Sequence, residues 1–600
     1  MKDRVQAIIK AYGKDRTRLM DMLIEIQDEY SCIPRNAIET LSNELEMSEA
    51  EVEQTLSFYH FFSYEPTGKY TVYLNNSMVA MMFGREAVAR AFENETGISF
   101  GNVTYDGLIG LFDTADIGMN DQEPAALING IPFTNLTVTK VKELVAGFRA
   151  GKKVKELLPG TGDGKNADAL IGSMVRNNCQ MHKGAILCLD YELGEGLKCA
   201  INRTPDAVIE AVKSSNIRGR GGAGFPAGLK WEFCKRSPGN PKYLVCNADE
   251  GEPGTFKDRV LLTEMPEQVF EGMAIAAYAV GIQEGFVYLR AEYKYLKNYL
   301  EDVLSKMREK KLLGKNILGV DDFNFDIRIQ MGAGAYVCGE ESALIESMEG
   351  KRGEPRNRPP FPVQSGYLNQ PTIVNNVETL SAVVKIMLHG PDWFKALGTR
   401  ESAGTKLLSV SGDCKKPGVY EVEYGTSISE ILEMVEAHSV QAVQVAGPSG
   451  ICIPPSMFKR KISFEDLPTG GAITIIGDDR NLLKDVVLNY MDFFIDESCS
   501  SCAPCRSLSV ILKNKLEKLL KGVGTLRDID ELYDWCKYMK QANRCGLGQT
   551  AANPIISTIE NFRHLYESQV ATENDFISEF NMEKAVAASC KFVDRVPNLK

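Results

Sequence analysis

The chain has 600 residues, of which 44% are hydrophobic and 25% are charged, and its formal net charge is −12. This length allows about three to five domains, each with its own core. The negative net charge argues against a nucleic-acid-binding surface, because neutralising phosphates requires clustered Lys and Arg side chains.

Neither a membrane span nor a secretory signal is visible. The most apolar stretch, residues 272–282, is too short to cross a bilayer and is flanked by Glu271 and Glu284. The N-terminal residues MKDRVQAIIKAYGKDR lack the apolar segment of a signal peptide. We therefore expect a cytoplasmic protein without membrane insertion, whose 15 cysteines are reduced thiols or metal ligands rather than disulfides.

The N-terminal third contains three predicted regions. Residues 1–65 have helical periodicity, and Ser48 followed by Glu51 predicts a capping box. Residues 66–150 alternate the strand-like YTVYL and AALIN with the helix-like REAVARAFENE and TKVKELVAGF, which predicts a small α/β domain. Residues 151–200, which begin with a stretch rich in Gly and Lys, are predicted to be a linker.

The rest of the chain divides into three further regions. Residues 201–400 alternate helices with apolar strands and contain three Gly-rich loops. Residues 405–475 have the pattern of short strands with Gly and Pro turns, and residues 480–600 return to helical patterns and end in a C-terminal extension. The predicted fold class is thus an α/β multidomain protein.

The first Gly-rich loop is RGRGGAGFPAGLKW, residues 218–231. Gly219, Gly221 and Gly224 match G-x-G-x-x-G, but the preceding TPDAVIEAVKSSN has helical periodicity. Because a Rossmann dinucleotide turn follows a strand, that interpretation fails. The glycines still let the main chain approach a flat or anionic ligand, and Lys230 adds a cation. A simple tight turn is the alternative.

Two further loops carry carboxylates. Residues 247–259, NADEGEPGTFKDR, follow the strand-like KYLVC, and such groups at a strand's C-terminal end can bind ribose hydroxyls or heterocycle edges. Residues 332–350 follow FNFDIRI, whose alternating apolar residues predict a strand, and lead into a helix that begins near Glu340 and Glu341. A solvated acidic helix start, favoured by the helix dipole, is the alternative for either Glu.

Seven motifs occur in the order found in one known family: GRGGAGFPAGLKW, NADEGEPGTFKDR, GAGAYVCGEESAL, RPPFP, IVNNVETL, SCSSCAPCR and CGLG. Over about residues 200–570 the chain resembles the NADH-binding flavoprotein subunit of respiratory complex I. Soluble relatives of that subunit occur in NAD-reducing and electron-bifurcating hydrogenases, transhydrogenases and NAD-dependent formate dehydrogenases. The resemblance implies a Rossmann-like FMN and NADH domain, a ubiquitin-like β-grasp domain and a helical bundle that holds a [4Fe–4S] cluster.

The resemblance also implies individual contacts. Arg358 stands where the family often has Lys, and Glu341 is expected near the adenosine ribose, where a carboxylate favours NADH over NADPH. The implied NADH contacts, with two Phe rings near the adenine, are Phe225, Phe233, Glu252 and Phe361. The implied FMN contacts are Gly219, Gly222, Lys230, Asn247, Asp249, Glu250, Gly339, Glu340, Asn375 and Asn376.

Three cysteines, Cys499, Cys502 and Cys505, form a C-x-x-C-x-x-C run that leaves a four-thiolate site incomplete. A run of three with one remote cysteine is more typical of an iron–sulfur site than of zinc, where separated pairs are commoner. With the family motifs around it, Cys545 is the expected fourth ligand of a [4Fe–4S] cluster, and Cys536 is the alternative.

The N-terminal region resembles a different complex I subunit, one with a thioredoxin-like [2Fe–2S] domain. The chain therefore has the pattern of two fused subunits. Where that family has its four cluster cysteines, this chain has Asn75, Ala80, Asp116 and Asn120, none of which supplies a thiolate. We expect no cluster here, because a [2Fe–2S] centre prefers soft ligands, and we expect residues 1–150 to act as a docking domain.

A replacement metal site in the connecting segment is the remaining alternative for the N-terminal half. Cys179, Cys188 and Cys199 lie there together with His182, although their spacing is irregular.

The predicted function is that of a diaphorase subunit, which transfers electrons from NADH to FMN, to [4Fe–4S] and on to other iron–sulfur subunits of a hetero-oligomeric complex. Candidate partners are a [2Fe–2S] thioredoxin-like subunit and a hydrogenase, formate dehydrogenase or transhydrogenase subunit. Reduction of NAD⁺ and electron bifurcation with ferredoxin are the alternatives to NADH oxidation. Only Cys590 follows residue 570, so a bifurcating partner would have to supply further clusters. A non-catalytic docking scaffold is the alternative from another class.

Overall fold

A computed structural model describes residues 1–158, 175–180, 184–187, 192–570 and 582–596. Within these ranges, helices surround three β-sheets, which confirms the predicted α/β multidomain class. In the part of the chain that the structure describes, no helix is long and apolar enough to span a bilayer.

The first helices pack their apolar faces together. Ser48 and Glu51 form both halves of the predicted capping box, and Leu23, Ile26 and Leu41 lie in the shared core. The helices are α1 (Lys2–Ala11), α2 (Leu19–Tyr30), α3 (Arg35–Glu44) and α4 (Glu49–Leu56).

The thioredoxin-like domain has a mixed sheet in the order β2-β3-β1-β4-β5. The central strand β1 pairs in parallel with β3 and antiparallel with β4. Its elements are β1 (Tyr70–Asn75), α5 (Met78–Met82), α6 (Arg85–Thr96), β2 (Asn102–Val103), β3 (Ile109–Thr114), β4 (Ala126–Ile128), β5 (Ile131–Phe133) and α7 (Val138–Arg149).

The central domain is built on a parallel sheet in the order β10-β7-β8-β9. Its strands are almost wholly buried because helices cover both faces. The strands are β7 (Tyr243–Ala248), β8 (Glu284–Leu289), β9 (Asp326–Met331) and β10 (Thr372–Asn376). The helices are α8 (Glu195–Ile201), α9 (Pro205–Ser214), α10 (Ala227–Arg236), α11 (Lys257–Glu264), α12 (Pro266–Val280), α13 (Lys297–Glu309), α14 (Glu341–Met348), α15 (Val377–His389) and α16 (Pro391–Lys395).

One strand begins later than its sequence pattern predicts. The alternation in FNFDIRI starts at Phe323, whereas β9 starts at Asp326. The main chain of Phe325 exchanges both hydrogen bonds with Gly314, so this residue pairs with a turn instead of extending the sheet.

The β-grasp domain has a sheet in the order β14-β13-β15-β11-β12, and a short strand β6 from the connecting segment is added beside β12. The described part of the predicted linker is therefore packed, and the N–H groups of Ile186 and Leu187 donate to buried Glu421. The elements are β6 (Cys179–Gln180), β11 (Thr405–Gly412), β12 (Gly418–Glu423), α17 (Ile428–Met434), β13 (Val440–Val445), β14 (Ile451–Ile453) and β15 (Ala472–Gly477).

The C-terminal region is helical as predicted. Wider π-helical turns occur at Leu482–Leu488 and Pro504–Leu508, and the second contains Cys505. The α-helices are α18 (Asn489–Asp496), α19 (Ser509–Leu520), α20 (Leu526–Gln541), α21 (Gly546–Thr550), α22 (Asn553–Glu567) and α23 (Met582–Phe592).

Candidate functional site

The strand order switches at the carboxyl edge of the central sheet, between β7 and β10, and we call this edge the crevice. The chain runs from β7 through β8 to β9 on one side and returns with β10 on the other side of β7. Such a switch in strand order is where open α/β sheets bind ligands. Asn247 and Asn376, at the ends of β7 and β10, are direct partners in the register.

The first Gly-rich loop closes one side of this crevice. It follows α9, so the structure agrees that it is not a Rossmann turn. Gly222 has φ of +123°, and a Cβ built there would meet no atom within 4 Å, whereas one on Gly221 would lie 3.3 Å from the Cβ of Asn376. Bare main chain thus borders the end of β10, which fits close approach by a flat or anionic group such as FMN.

Hydrogen bonds between different elements join several of the predicted FMN contacts. The amide of Asn247 donates to the carbonyl of Gly339 at 2.9 Å, and the Lys230 ammonium donates to the carbonyl of Val374 at 3.1 Å. The indole of Trp231 donates to the side-chain oxygen of Asn375 at 2.8 Å. These bonds join four segments in two pairs: the end of β7 to Gly339, and α10 to β10.

Three other predicted contacts turn their side chains into the protein. The Glu250 carboxylate accepts the N–H groups of Asp258 at 2.8 Å and Arg259 at 3.0 Å, and burial raises its pKa to about 7. Glu252 accepts the Ser449 N–H at 2.9 Å. Asn376 caps α15 and donates to Asp258 at 2.7 Å. Their predicted ligand contacts would have to come from the main chain or from a rotated side chain.

Asp249 takes a different place, beside the thioredoxin-like domain. It lines a small polar cavity with Asp116 and Arg290. Burial raises the pKa of Asp249 well above its ordinary value, and the positive charge of Arg290 opposes part of this shift.

Charged side chains surround the start of α14. Glu340 accepts the N–H groups of Ser342 and Ala343, so it is the N-cap of that helix. Glu341 pairs with Lys230 at 2.9 Å and with Arg358 at 3.7 Å. The Glu340 side chain thus caps the helix and also pairs with Arg358, whereas Glu341 faces two cations, Lys230 and Arg358.

Aromatic rings lie exposed near the same region. Phe225 and Phe233 are each 45% exposed and their ring centroids lie 6.4 Å apart, while Phe361 is 48% exposed. The Arg358 guanidinium lies 5.9 Å from the Phe361 centroid. Exposed rings of this size fit stacking against the base of a nucleotide.

A fully buried charge cluster lies behind the first loop, and the sequence motifs did not predict it. Glu378 on α15 contacts Lys406 of β11, Lys257 at 3.1 Å and Arg220 at 4.0 Å. Burial alone would raise the pKa of Glu378, but these three cations outweigh it and hold the pKa below its ordinary value. We call these four residues the buried charge cluster. Lys257 also contacts Asn376 at the end of β10, so the cluster packs directly against the crevice.

The four predicted cluster cysteines line one small cavity in the C-terminal bundle. Its walls also include Val337, Asn543, Leu547 and Gly548, and Cys536 is not among its lining residues. Burial raises the pKa of Cys505 to about 11; the Ser498 hydroxyl opposes this, and Cys545, Cys499 and Cys502 add to it.

The four thiol side chains around this cavity are the donors that a [4Fe–4S] cluster takes. Within the described ranges, no three His, Cys, Asp or Glu side chains are grouped as one metal ion requires, whereas thiolates of a [4Fe–4S] cluster bind separate irons around a cavity. The donor set therefore fits such a cluster.

One short segment borders both places. Val337 lines the cysteine cavity, and Gly339, two residues later, accepts the hydrogen bond from Asn247 at the crevice. Residues 337–339 therefore contact both the cysteine cavity and the carboxyl end of β7.

The positions that replace the [2Fe–2S] cysteines also converge. Ser77 receives the Ala80 N–H and donates to Asn120 at 3.0 Å, and Asn120 donates to Asp116 at 2.7 Å. Asn75 donates to Ser77 at 3.3 Å. A hydrogen-bond network thus occupies the place implied for the cluster.

The alternative metal site of the connecting segment is only partly visible. Cys179 lies in β6 and Cys199 in α8, and both pack against the main hydrophobic core. His182 and Cys188 lie outside the described residues.

Comparisons with known families match three parts of the chain. Residues 5–149 match the thioredoxin-like [2Fe-2S] ferredoxin family, and residues 212–385 match the Nuo51 FMN-binding domain. Residues 485–569 match the NADH-ubiquinone oxidoreductase-F iron-sulfur binding region. These matches confirm the predicted resemblance to the two complex I subunits. They also confirm FMN, NAD(H) and a [4Fe–4S] cluster as the cofactors.

Whole proteins are similar too. The alpha subunit of the NAD-reducing hydrogenase HoxS from Cupriavidus necator is 48% identical over 588 residues, which cover 98% of both chains. The NADP-reducing hydrogenase subunit HndC from Solidesulfovibrio fructosivorans is 44% identical over 386 residues, 63% of this chain and 78% of that one. A crystal structure of an NAD⁺-reducing [NiFe]-hydrogenase in the H₂-reduced state matches with a TM-score of 0.86 and 36% identity, covering 98% of both chains. The chain therefore belongs to the family of NADH-binding flavoprotein subunits that includes the alpha subunit of NAD-reducing hydrogenase.

Proposed function

We propose that this protein is the diaphorase subunit of an NAD-reducing hydrogenase. The observation that carries the proposal is similarity to the HoxS alpha subunit along nearly the whole chain, combined with an intact crevice and four cysteines around one cavity. Bound FMN exchanges a hydride with NAD(H) and single electrons with an iron–sulfur cluster. The chain's own task is to hold these groups close together and in the correct orientation.

The residues divide this task between them. Main chain at Gly219 and Gly222 allows close approach of a flat ring, and Lys230 places a cation beside it. Exposed rings such as Phe225 offer stacking surface for the nucleotide. No side chain is needed as an acid or base, because a hydride carries its own electron pair.

Partners and location follow from the relatives. We infer that a hydrogenase subunit and further iron–sulfur subunits bind this chain in the cytoplasm, and that NAD⁺ reduction is the physiological direction. The relatives support this direction, since two of them are NAD⁺-reducing hydrogenases. Bifurcation with ferredoxin has no specific support in the structure.

The purified chain, separated from its partner subunits, is expected to contain about one FMN and about four iron atoms. The reason is that the crevice and the four-cysteine cavity both fit their groups, whereas the N-terminal network contains no thiolate. Flavin extraction and iron analysis measure these values. Absence of flavin would favour the docking scaffold, and about six irons would place a second cluster in the N-terminal half.

Glu341→Gln is expected to narrow the preference for NADH over NADPH several-fold. The carboxylate repels a 2′-phosphate by on the order of 1 kcal/mol in a partly enclosed cleft. Its removal also frees Lys230, now paired with Glu341, to attract that phosphate, while Arg358 keeps its ion pair with Glu340. The measurement is kcat/KM for both nucleotides.

The matched control for this prediction is Glu346→Gln. Glu346 lies on the same helix but pairs with Arg356 and Lys351. Equal losses with both nucleotides in Glu341→Gln would show that Glu341 supports the flavin site or the fold instead.

A further inference from the structure

A loop of the thioredoxin-like domain contacts residues 247–256 of the central domain, which we call the nucleotide loop, through buried polar groups. The Asp116 carboxylate accepts the N–H of Gly254 at 2.9 Å and that of Gly118 at 2.6 Å, and the Asp116 side chain is nearly inaccessible to solvent. The Arg290 guanidinium donates to the Asp116 carbonyl at 2.5 Å. This loop, residues 114–123, is therefore bonded to a segment that carries predicted FMN and NADH contacts.

A second contact lies just after the nucleotide loop, at the start of α11. The fully buried guanidinium of Arg259 donates to the carbonyl of Gly118 at 2.8 Å and pairs with Asp121 at 3.3 Å. Arg259 lies on α11, which directly follows residues 247–256, and its own N–H donates to Glu250. The nucleotide loop and the helix α11 that follows it are thus attached to the same N-terminal loop, at Gly254 and at Arg259.

The attachment uses one of the positions where the related subunit has a cluster cysteine. Both carboxylate oxygens of Asp116 accept N–H donors: one accepts from Gly118, and the other accepts from Gly254 and Asn120. A thiolate bound to iron would be a weaker and longer acceptor for these donors. The chemistry at this position therefore suits fixing a neighbouring loop.

We propose that Asp116 is a positioning residue, which fixes the nucleotide loop at residues 249–254 in its ligand-binding conformation. The proposal rests on the proposed function of the crevice. It assigns to the N-terminal domain a part in FMN and NADH binding that does not depend on a metal cluster. The physical basis is that a hydrogen bond to a buried carboxylate is among the stronger ones, and its loss leaves the Gly254 N–H buried without that acceptor.

The test compares three variants of the full chain, assembled with its partners. Asp116→Ala removes the acceptor, and Asp116→Asn keeps one oxygen that can accept from Gly254. Asn120→Ala disturbs the same N-terminal network but has no bond to the central domain. The readouts are the dissociation constant of FMN from its fluorescence, KM and kcat for NADH separately, and the midpoint of thermal unfolding.

Asp116→Ala is expected to raise the NADH KM and the FMN dissociation constant by about tenfold, with a smaller change in kcat. Asp116→Asn should recover part of this loss. Asn120→Ala should lower the unfolding midpoint without changing either binding constant. Should Asp116→Ala fail to fold, Asp116→Asn compared with Asn120→Ala decides the same question.

Unchanged binding constants in the Asp116 variants, or equal changes in Asn120→Ala, would overturn the positioning role and leave only a contribution to stability. Failure of the proposed function is distinguishable, because the unmodified protein would then itself bind no FMN and oxidise no NADH.

Discussion

Cys545→Ser is expected to remove or severely perturb the iron–sulfur cluster while FMN reduction by NADH stays measurable. The four cysteines line one cavity, so loss of one thiolate leaves an iron without its ligand. The crevice lies in the central domain and keeps its own hydrogen bonds, such as the one from Asn247 to Gly339. Cluster EPR after reduction, iron content and anaerobic bleaching of the flavin by NADH measure the two effects separately.

Cys536→Ser is the matched control, because Cys536 is fully buried in the same bundle but does not line the cavity. It should leave the cluster signal intact and lower stability at most. An unchanged EPR signal in Cys545→Ser together with a lost signal in Cys536→Ser would show that the ligand assignment is wrong.

Glu378→Gln is expected to destabilise the protein by about 3–5 kcal/mol, because it leaves three buried cations without their shared carboxylate. Lys406, Lys257 and Arg220 all face Glu378 in the buried charge cluster. FMN retention should fall as well, since Arg220 belongs to the Gly-rich loop and Lys257 contacts Asn376. Thermal unfolding of the purified protein and flavin content after gel filtration measure both effects.

Two comparisons make this prediction specific. Glu433→Gln, on the exposed side of the β-grasp domain, should change stability by less than about 0.5 kcal/mol. Adding Lys406→Met to Glu378→Gln removes one unbalanced cation and should recover part of the loss. A Glu378→Gln protein as stable as the Glu433→Gln protein would mean that the cluster's charges are not what supports the loop.

Local patterns in the sequence predicted most of the fold. The strand-like YTVYL and KYLVC became β1 and β7, and the Ser48 capping box formed as expected, because each depends on residues a few positions apart. The crevice followed from knowing that loops after parallel strands meet at one edge of the sheet.

Long-range polar contacts could not be predicted in the same way. Glu378 and Lys406, or Arg259 and Asp121, are far apart in the chain, and nothing in the residues beside them indicates the partner. That the Glu250 side chain points into the protein was likewise not predictable. The motif around Glu250 does not indicate whether its carboxylate binds a ligand or accepts the N–H groups at the start of α11.

The buried polar contacts of Asp116 and Arg259 join two domains that occur on one polypeptide. A covalent connection gives such domains an effective concentration on the order of millimolar, so their interface does not have to supply the affinity that separate subunits need. An interface released from that requirement can add polar groups that set geometry to its apolar contacts, such as those of Ile117 and Met119. Co-expressing residues 1–150 and 151–600 as separate chains should therefore give a complex that dissociates on dilution, because the interface alone then supplies its affinity.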